Sequence, residues 1–126
     1  MEMIENYIYL AGPYSHPDSE VRVKRFHATN HAAATLMQRG WVVYSPISHN
    51  HPIAITHDLP TGWDFWGRLD KAFIKHALLM AVLMLPGWRE SVGIKAEMAI
   101  AREFNIPIVF LTSSTIDWFI SLPRKR

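Results

Sequence analysis

Ser91, Gly93 and Glu97 are the residues whose types and spacing point most directly to chemistry. They sit in Leu83-Met-Leu-Pro-Gly-Trp-Arg-Glu-Ser91-Val-Gly93-Ile-Lys-Ala-Glu97-Met-Ala, which reads as a buried strand, a short loop and a helix. Gly93 and Glu97 are four residues apart, so on a helix they share a face, one turn above the other. A glycine there lets a ligand come close to the backbone, with the glutamate facing the same space. Ser91 fits the helix N-cap, where unpaired N–H groups and the positive dipole end favour an anion. An anion seat beside a carboxylate nucleophile or base suits a phosphorylated sugar. The pattern is short, and each residue has a plainer alternative: a cap, a packing glycine, a solvated acid.

The histidines are a second cluster with chemical potential. His49-Asn-His51 and His57-Asp58 are dense, but their spacing matches no compact ligand pair such as His-Glu-x-x-His, and the chain has no cysteine. They are expected to make polar loop or substrate contacts, with no metal bound.

These side chains must be positioned by strands and helices. Asn6 to Ala11 is a β-branched and aromatic run stopped by Gly12-Pro13, hence a strand feeding a turn. Pro17 and Asp18 can open a helix running to about Gln38, with Val21, Phe26, Ala33, Leu36 and Met37 at helical spacings and Gly40 as its stop. Trp41 to Ser45 is a second strand. Residues 46 to 62, rich in Pro, His, Ser, Asn and Asp, read as a long functional loop. Trp63 to about Lys75 is helical, and His76 to Leu85 is a central strand with its lead-in. The helix bearing Gly93 and Glu97 runs to Phe104, Ile106 to Leu111 is the fourth strand, and Ile116 to Leu122 closes the chain as a helical turn.

Strands alternating with helices predict a single-domain, Rossmann-like α/β fold over residues 1–126, its parallel sheet of four to five strands covered on both faces. Ligands bind such sheets beyond the carboxyl ends of the strands. Gly12 to Asp18, Ser45 with the long loop, and Pro86 to Glu97 meet there. They bring Tyr9, Ser15, His16, Ser91 and Glu97 towards one crevice.

Composition narrows the classes. Hydrophobic residues make up 49% and charged residues 19%, a globular balance. No apolar run approaches the ~18 residues that span a bilayer, so no membrane partner is expected. The net charge is +2, and Arg124-Lys125-Arg126 supplies three of the positive charges, leaving a near-neutral body unsuited to nucleic acid. The first residues carry acids rather than a basic leader, and the lack of cysteine fits a reducing compartment, so a cytoplasmic location is expected.

With these residues in view, the sequence resembles the nucleoside 2-deoxyribosyltransferase superfamily, and within it the nucleoside 5'-monophosphate N-glycosidases. The likeness runs through Tyr7-Ile-Tyr9-Leu-Ala-Gly-Pro13, Asp70, Ser91-Val-Gly93-Ile-Lys-Ala-Glu97-Met-Ala-Ile-Ala-Arg and the Ile-Pro-Ile-Val-Phe strand, in matching order over nearly the whole chain. It implies that Glu97 is a nucleophile, ionised with help from the helix N-terminus, that attacks the anomeric carbon. Asp70 is implied as the second carboxylate, handling the departing base or its proton, and Tyr9 as a residue positioning the nucleophile. Transferases acting on free nucleosides carry aspartate six residues before the nucleophile; here that residue is Ser91. A serine at a helix N-terminus accepts a 5'-phosphate that an aspartate would repel. The resemblance thus implies hydrolysis of a (deoxy)nucleoside 5'-monophosphate, with base exchange between nucleosides or simple nucleotide binding as alternatives.

Gly12, Ser15, His16, Ser91 and Gly93 are the expected phosphate and sugar contacts, with Arg22 or Arg89 adding charge. Trp63, Phe65 and Trp66 lie at the loop's end; two of the three are expected to close the core, and Trp63 and Trp66 are the candidates for contact with a base. No cofactor is expected. A homo-oligomer is, because members of the superfamily commonly complete each site from a neighbouring subunit.

Overall fold

The structure, a computed structural model, describes residues 6–112. Four strands, β1 (Ile8–Ala11), β2 (Val43–Tyr44), β3 (Leu79–Leu83) and β4 (Ile108–Leu111), form one parallel sheet in the order β2-β1-β3-β4. Four helices connect them: α1 (Ser19–Gln38), α2 (Pro46–Thr56), α3 (Trp63–Ile74) and α4 (Val92–Glu103). The fold is the expected Rossmann-like α/β arrangement.

Alternation along the strands sorts the core into two layers. Ile8 and Leu10 of β1, with Ala81 and Leu83 of β3 and Leu111 of β4, pack on Ala32, Ala33 and Leu36 of α1. Tyr9 and Ala11, with Met80 and Val82, face Ile74 of α3 and Ile94 and Ala101 of α4. Right-handed crossovers require this split: α1 links β1 to β2 in one direction, while the later connections run the other way and cover the opposite face. Strand order therefore reverses between β1 and β3, opening a crevice at their carboxyl ends.

Local sequence sets the helix ends. Asp18 caps α1 by accepting the Glu20 N–H at 2.9 Å. At the other end the Gly40 N–H reaches the Met37 carbonyl at 2.8 Å and the Trp41 N–H that of Leu36 at 3.2 Å, the left-handed stop expected of Gly40. Asn105, with φ 57°, ends α4 in the same way. Of the apolar residues expected to anchor α1, Ala33 and Leu36 are buried, Val21 and Phe26 half-buried, and Met37 exposed.

The largest departure from the sequence expectation is α2, which occupies most of the supposed long loop. Ser45 caps it, accepting the Ser48 N–H at 3.1 Å, and Pro46 takes the first helical position. Its inward stripe is Pro46, Ile47, Asn50, His51 and Ala54, a helical spacing carried partly by polar residues. Pro52 forfeits one backbone hydrogen bond within the helix. Each strand starts about two or three residues later than expected; β1 and β4 end where expected, while β2 and β3 also end earlier. The expected closing helical turn at Ile116 to Leu122 and the basic tail lie outside the described residues. Among the described residues, no helix is long and apolar enough to cross a membrane.

Candidate active site

The inward stripe of α3 is Gly67, Asp70 and Ile74; that of α4 is Ile94, Glu97 and Ala101. Each stripe thus replaces one apolar residue with an acid. Both acids line a cleft beyond the carboxyl ends of β1 and β3, with Gly12, Tyr14 and Ser15 from the loop after β1 and Ser91 and Gly93 from the start of α4. Ile47, Asn50 and Ala54 of α2 and Trp63 and Trp66 of α3 complete its walls. The cavity is narrow, about 60 Å³, room for a few waters, so a larger ligand must reach out through the mouth or part the walls.

Glu97 is 5% exposed, and its Oε2 accepts the Tyr9 hydroxyl at 2.5 Å. Tyr9 is itself fully buried in the central strand, so the bond ties α4 to the sheet. Burial pushes Glu97 up to about 8; the Tyr9 bond pulls it down and the neighbouring Asp70 pushes it up again. The expectation that the helix N-terminus would keep Glu97 ionised is therefore corrected. Glu97 is the sixth residue of α4, beyond the first turn where the dipole acts, and desolvation dominates.

Asp70 is 6% exposed and is pushed up to about 6 by burial, against the downward pull of an Asn50 hydrogen bond and of His49. Asn50 Nδ2 donates to Asp70 Oδ1 at 3.1 Å. Burial favours one proton on the pair at neutral pH, held more by Glu97 than by Asp70. Two interacting carboxyls of unequal acidity share that proton in either arrangement.

Ser91 caps α4: its Oγ accepts the Ile94 N–H at 3.1 Å, which leaves the hydroxyl proton to donate into the cleft. A Cβ built on Gly93 would meet only Ser91 Oγ, at 3.8 Å, so the space beside it is open to the cleft. Ser15 lines the cleft but donates to the Thr61 carbonyl at 2.9 Å, bridging two loops across the mouth. His16 is not brought to the site. Its exposed ring accepts the Asp18 N–H at 3.0 Å, a turn contact at the start of α1, and its carbonyl takes the Arg22 guanidinium. Arg89 stacks over Trp88 at 5.3 Å. Among the described residues, no lysine or arginine lines the cleft.

Trp63 and Trp66 both line the cleft, and Phe65 is 48% exposed. None of the three closes the core, because the face of α3 that meets the sheet is the one bearing Asp70 and Ile74. The loop histidines diverge: His49 pairs with Asn50, His51 with Tyr14, and His57 with Thr56.

Three residues of the site were not singled out by sequence. Asn50 and Tyr14 reach the cleft from segments whose shape sequence did not give. Arg25 donates to the Ser15 carbonyl at 3.0 Å and the Pro86 carbonyl at 3.3 Å, clamping the two loops that frame the crevice. Gly87 makes this possible: its φ is +89°, and a Cβ there would lie 2.7 Å from Arg25 Nη2. The only signal for Arg25 was its place in the first turns of α1.

A carboxyl pushed upward binds a proton in the folded state over a range, here from about 4.5 to about 8, in which the unfolded chain does not. Stability therefore falls as pH rises through that window. Glu97→Gln, which keeps an acceptor for Tyr9, is expected to raise Tm by a few degrees at pH 8 and by less at pH 5. A difference independent of pH would show that Glu97 titrates as an ordinary exposed acid.

No curated protein matches this chain significantly. A family model described as a domain of unknown function, DUF1937, matches residues 6–113, which span every described element and every residue of the cleft. The protein belongs to the DUF1937 family.

Proposed function

We propose that the protein hydrolyses the N-glycosidic bond of a (deoxy)nucleoside 5'-monophosphate, giving free base and sugar 5-phosphate. The observation that carries this reading is the pair of buried carboxyls, Glu97 and Asp70, in one cleft with Ser91 at its edge. A protein that only bound nucleotides would gain nothing from desolvating two acids together. The resemblance to the deoxyribosyltransferase superfamily supplies the roles.

In the productive arrangement Glu97 is ionised and Asp70 holds the shared proton. The Glu97 carboxylate attacks the anomeric carbon as the C–N bond breaks, its electron pair leaving with the base, and Asp70 donates the proton to that base. Positive charge building on the sugar is stabilised by the adjacent carboxylate in a site of low dielectric. Water then attacks the anomeric carbon of the glycosyl ester, Asp70 takes its proton, and Glu97 leaves as the carboxylate. The Tyr9 hydroxyl donates to Glu97 and favours its ionised form, both before attack and on release. Ser91 and the open backbone at Gly93 receive the 5'-phosphate, and Trp63 and Trp66, which line the cleft, stack on the base.

The deciding experiment is product release from a panel of ribo- and deoxynucleoside 5'-monophosphates, with Glu97→Ala in parallel. Free base with sugar phosphate, lost at least about a thousandfold in the variant, is expected. Base exchange between nucleosides without release from any nucleotide would overturn the interpretation of Ser91. The singly protonated pair also fixes the pH dependence. Activity should fall below about 6, where both carboxyls are protonated, and above about 8, where both are ionised, so kcat/KM follows a bell. Gly93→Ala should raise folding stability by about 0.5–1 kcal/mol while raising KM for the nucleotide, since the added methyl occupies ligand space.

A further inference from the structure

We propose that Asn50, held in orientation by His49, is a positioning residue that fixes which oxygen of Asp70 carries the mobile proton. The proposal rests on the N-glycosidase reading for the proton's purpose, but not for the geometry. Asn50 is 7% exposed, lines the cleft from α2, and uses both ends of its amide. Its Nδ2 donates to Asp70 Oδ1 at 3.1 Å, while its Oδ1 lies 2.7 Å from His49 Nδ1.

A buried carboxylic acid is ambiguous, because either oxygen can hold the proton, and a mispositioned proton is useless to a leaving group. An amide N–H facing Oδ1 removes the ambiguity: Oδ1 must accept, so the proton resides on Oδ2. The amide itself is ambiguous until something distinguishes its two ends. His49 does this from the exposed side of α2, since an N–H on Nδ1 can only meet the amide oxygen. A buried amide with both ends engaged is thereby locked at the wall of the cleft. The other titratable groups felt by or facing Asp70 are Tyr9 on β1, Tyr44 on β2 and Glu97 on α4. None of them supplies an amide donor. The Asn50 bond also holds Asp70 lower than burial alone would, so losing it should move Asp70 upward.

Two readouts test this. In ligand-free protein labelled with carboxyl-13C aspartate, with Asp70 assigned by Asp70→Asn, Asn50→Ala should raise the Asp70 midpoint by about one pH unit. His49→Ala, at an exposed position, should raise it less, in the same direction. In nucleotide hydrolysis, Asn50→Ala should lower kcat at least about tenfold with KM within about threefold, and the acidic limb of the pH profile should rise with the Asp70 midpoint. An unchanged Asp70 midpoint in folded Asn50→Ala would overturn the proposal. If that variant does not fold, an unchanged midpoint in His49→Ala overturns it instead. If the unaltered protein releases no base from any nucleotide, the proposed function fails, while the carboxyl titration still decides the role of Asn50.

Discussion

Two acids kept out of water beneath a narrow cleft set the terms for the rest of this molecule. Desolvating a carboxyl is costly unless it keeps a proton or finds donors. Here the two share that burden, with Tyr9 donating to Glu97 and Asn50 to Asp70. Each donor comes from a different element, β1 and α2, so the electrostatics of the pair require the sheet and helices to meet in one arrangement. The Tyr9 hydroxyl is the key contact: it reaches from the central strand, where every residue is buried, to the second turn of α4.

That requirement explains features of the fold otherwise hard to justify. α3 and α4 pack side by side over the same face of the sheet, and each places its acid where a leucine or isoleucine would pack more favourably. Among the described residues the sheet is four strands wide, and its reversal between β1 and β3 falls where the acids emerge. Aromatic rings gather beside Tyr9, with half-buried Tyr44 6.0 Å from its ring and stacked on half-buried Phe73 at 4.1 Å.

Much of this was legible in the sequence, and each part that was not has a physical cause. Strand and helix alternation, the Ser91 cap, and the approach of Tyr9 and Glu97 to one crevice followed from apolar runs and from residues of plain stereochemical meaning, while the contact between those two came through resemblance. α2 was missed although its buried positions recur with helical spacing, because Asn50 and His51 occupy that stripe and periodicity was sought in apolar residues. Asp70 came through resemblance rather than pattern for the same reason. His16 is a different case: it lies in the expected loop, but its ring turns back on Asp18 and does not line the cleft. Sequence distance says which segment approaches a crevice, not which of its side chains enters. The weakened acidity of Glu97 was also out of reach, since burial depends on what α3 and β1 place around it.

The clamp formed by Arg25 has an effect on how any anion would arrive. Its guanidinium keeps its full charge while bonding the carbonyls of Ser15 and Pro86, and the described cleft wall carries hydroxyls, an amide, indoles and two carboxyls. An anion entering it would meet neutral donors at short range, with the Arg25 charge at the rim and the two acids below. Such a pocket would rank ligands by the placement of their oxygens more than by their total charge, so a polyanion that merely carries more negative charge would gain no advantage over a correctly shaped one.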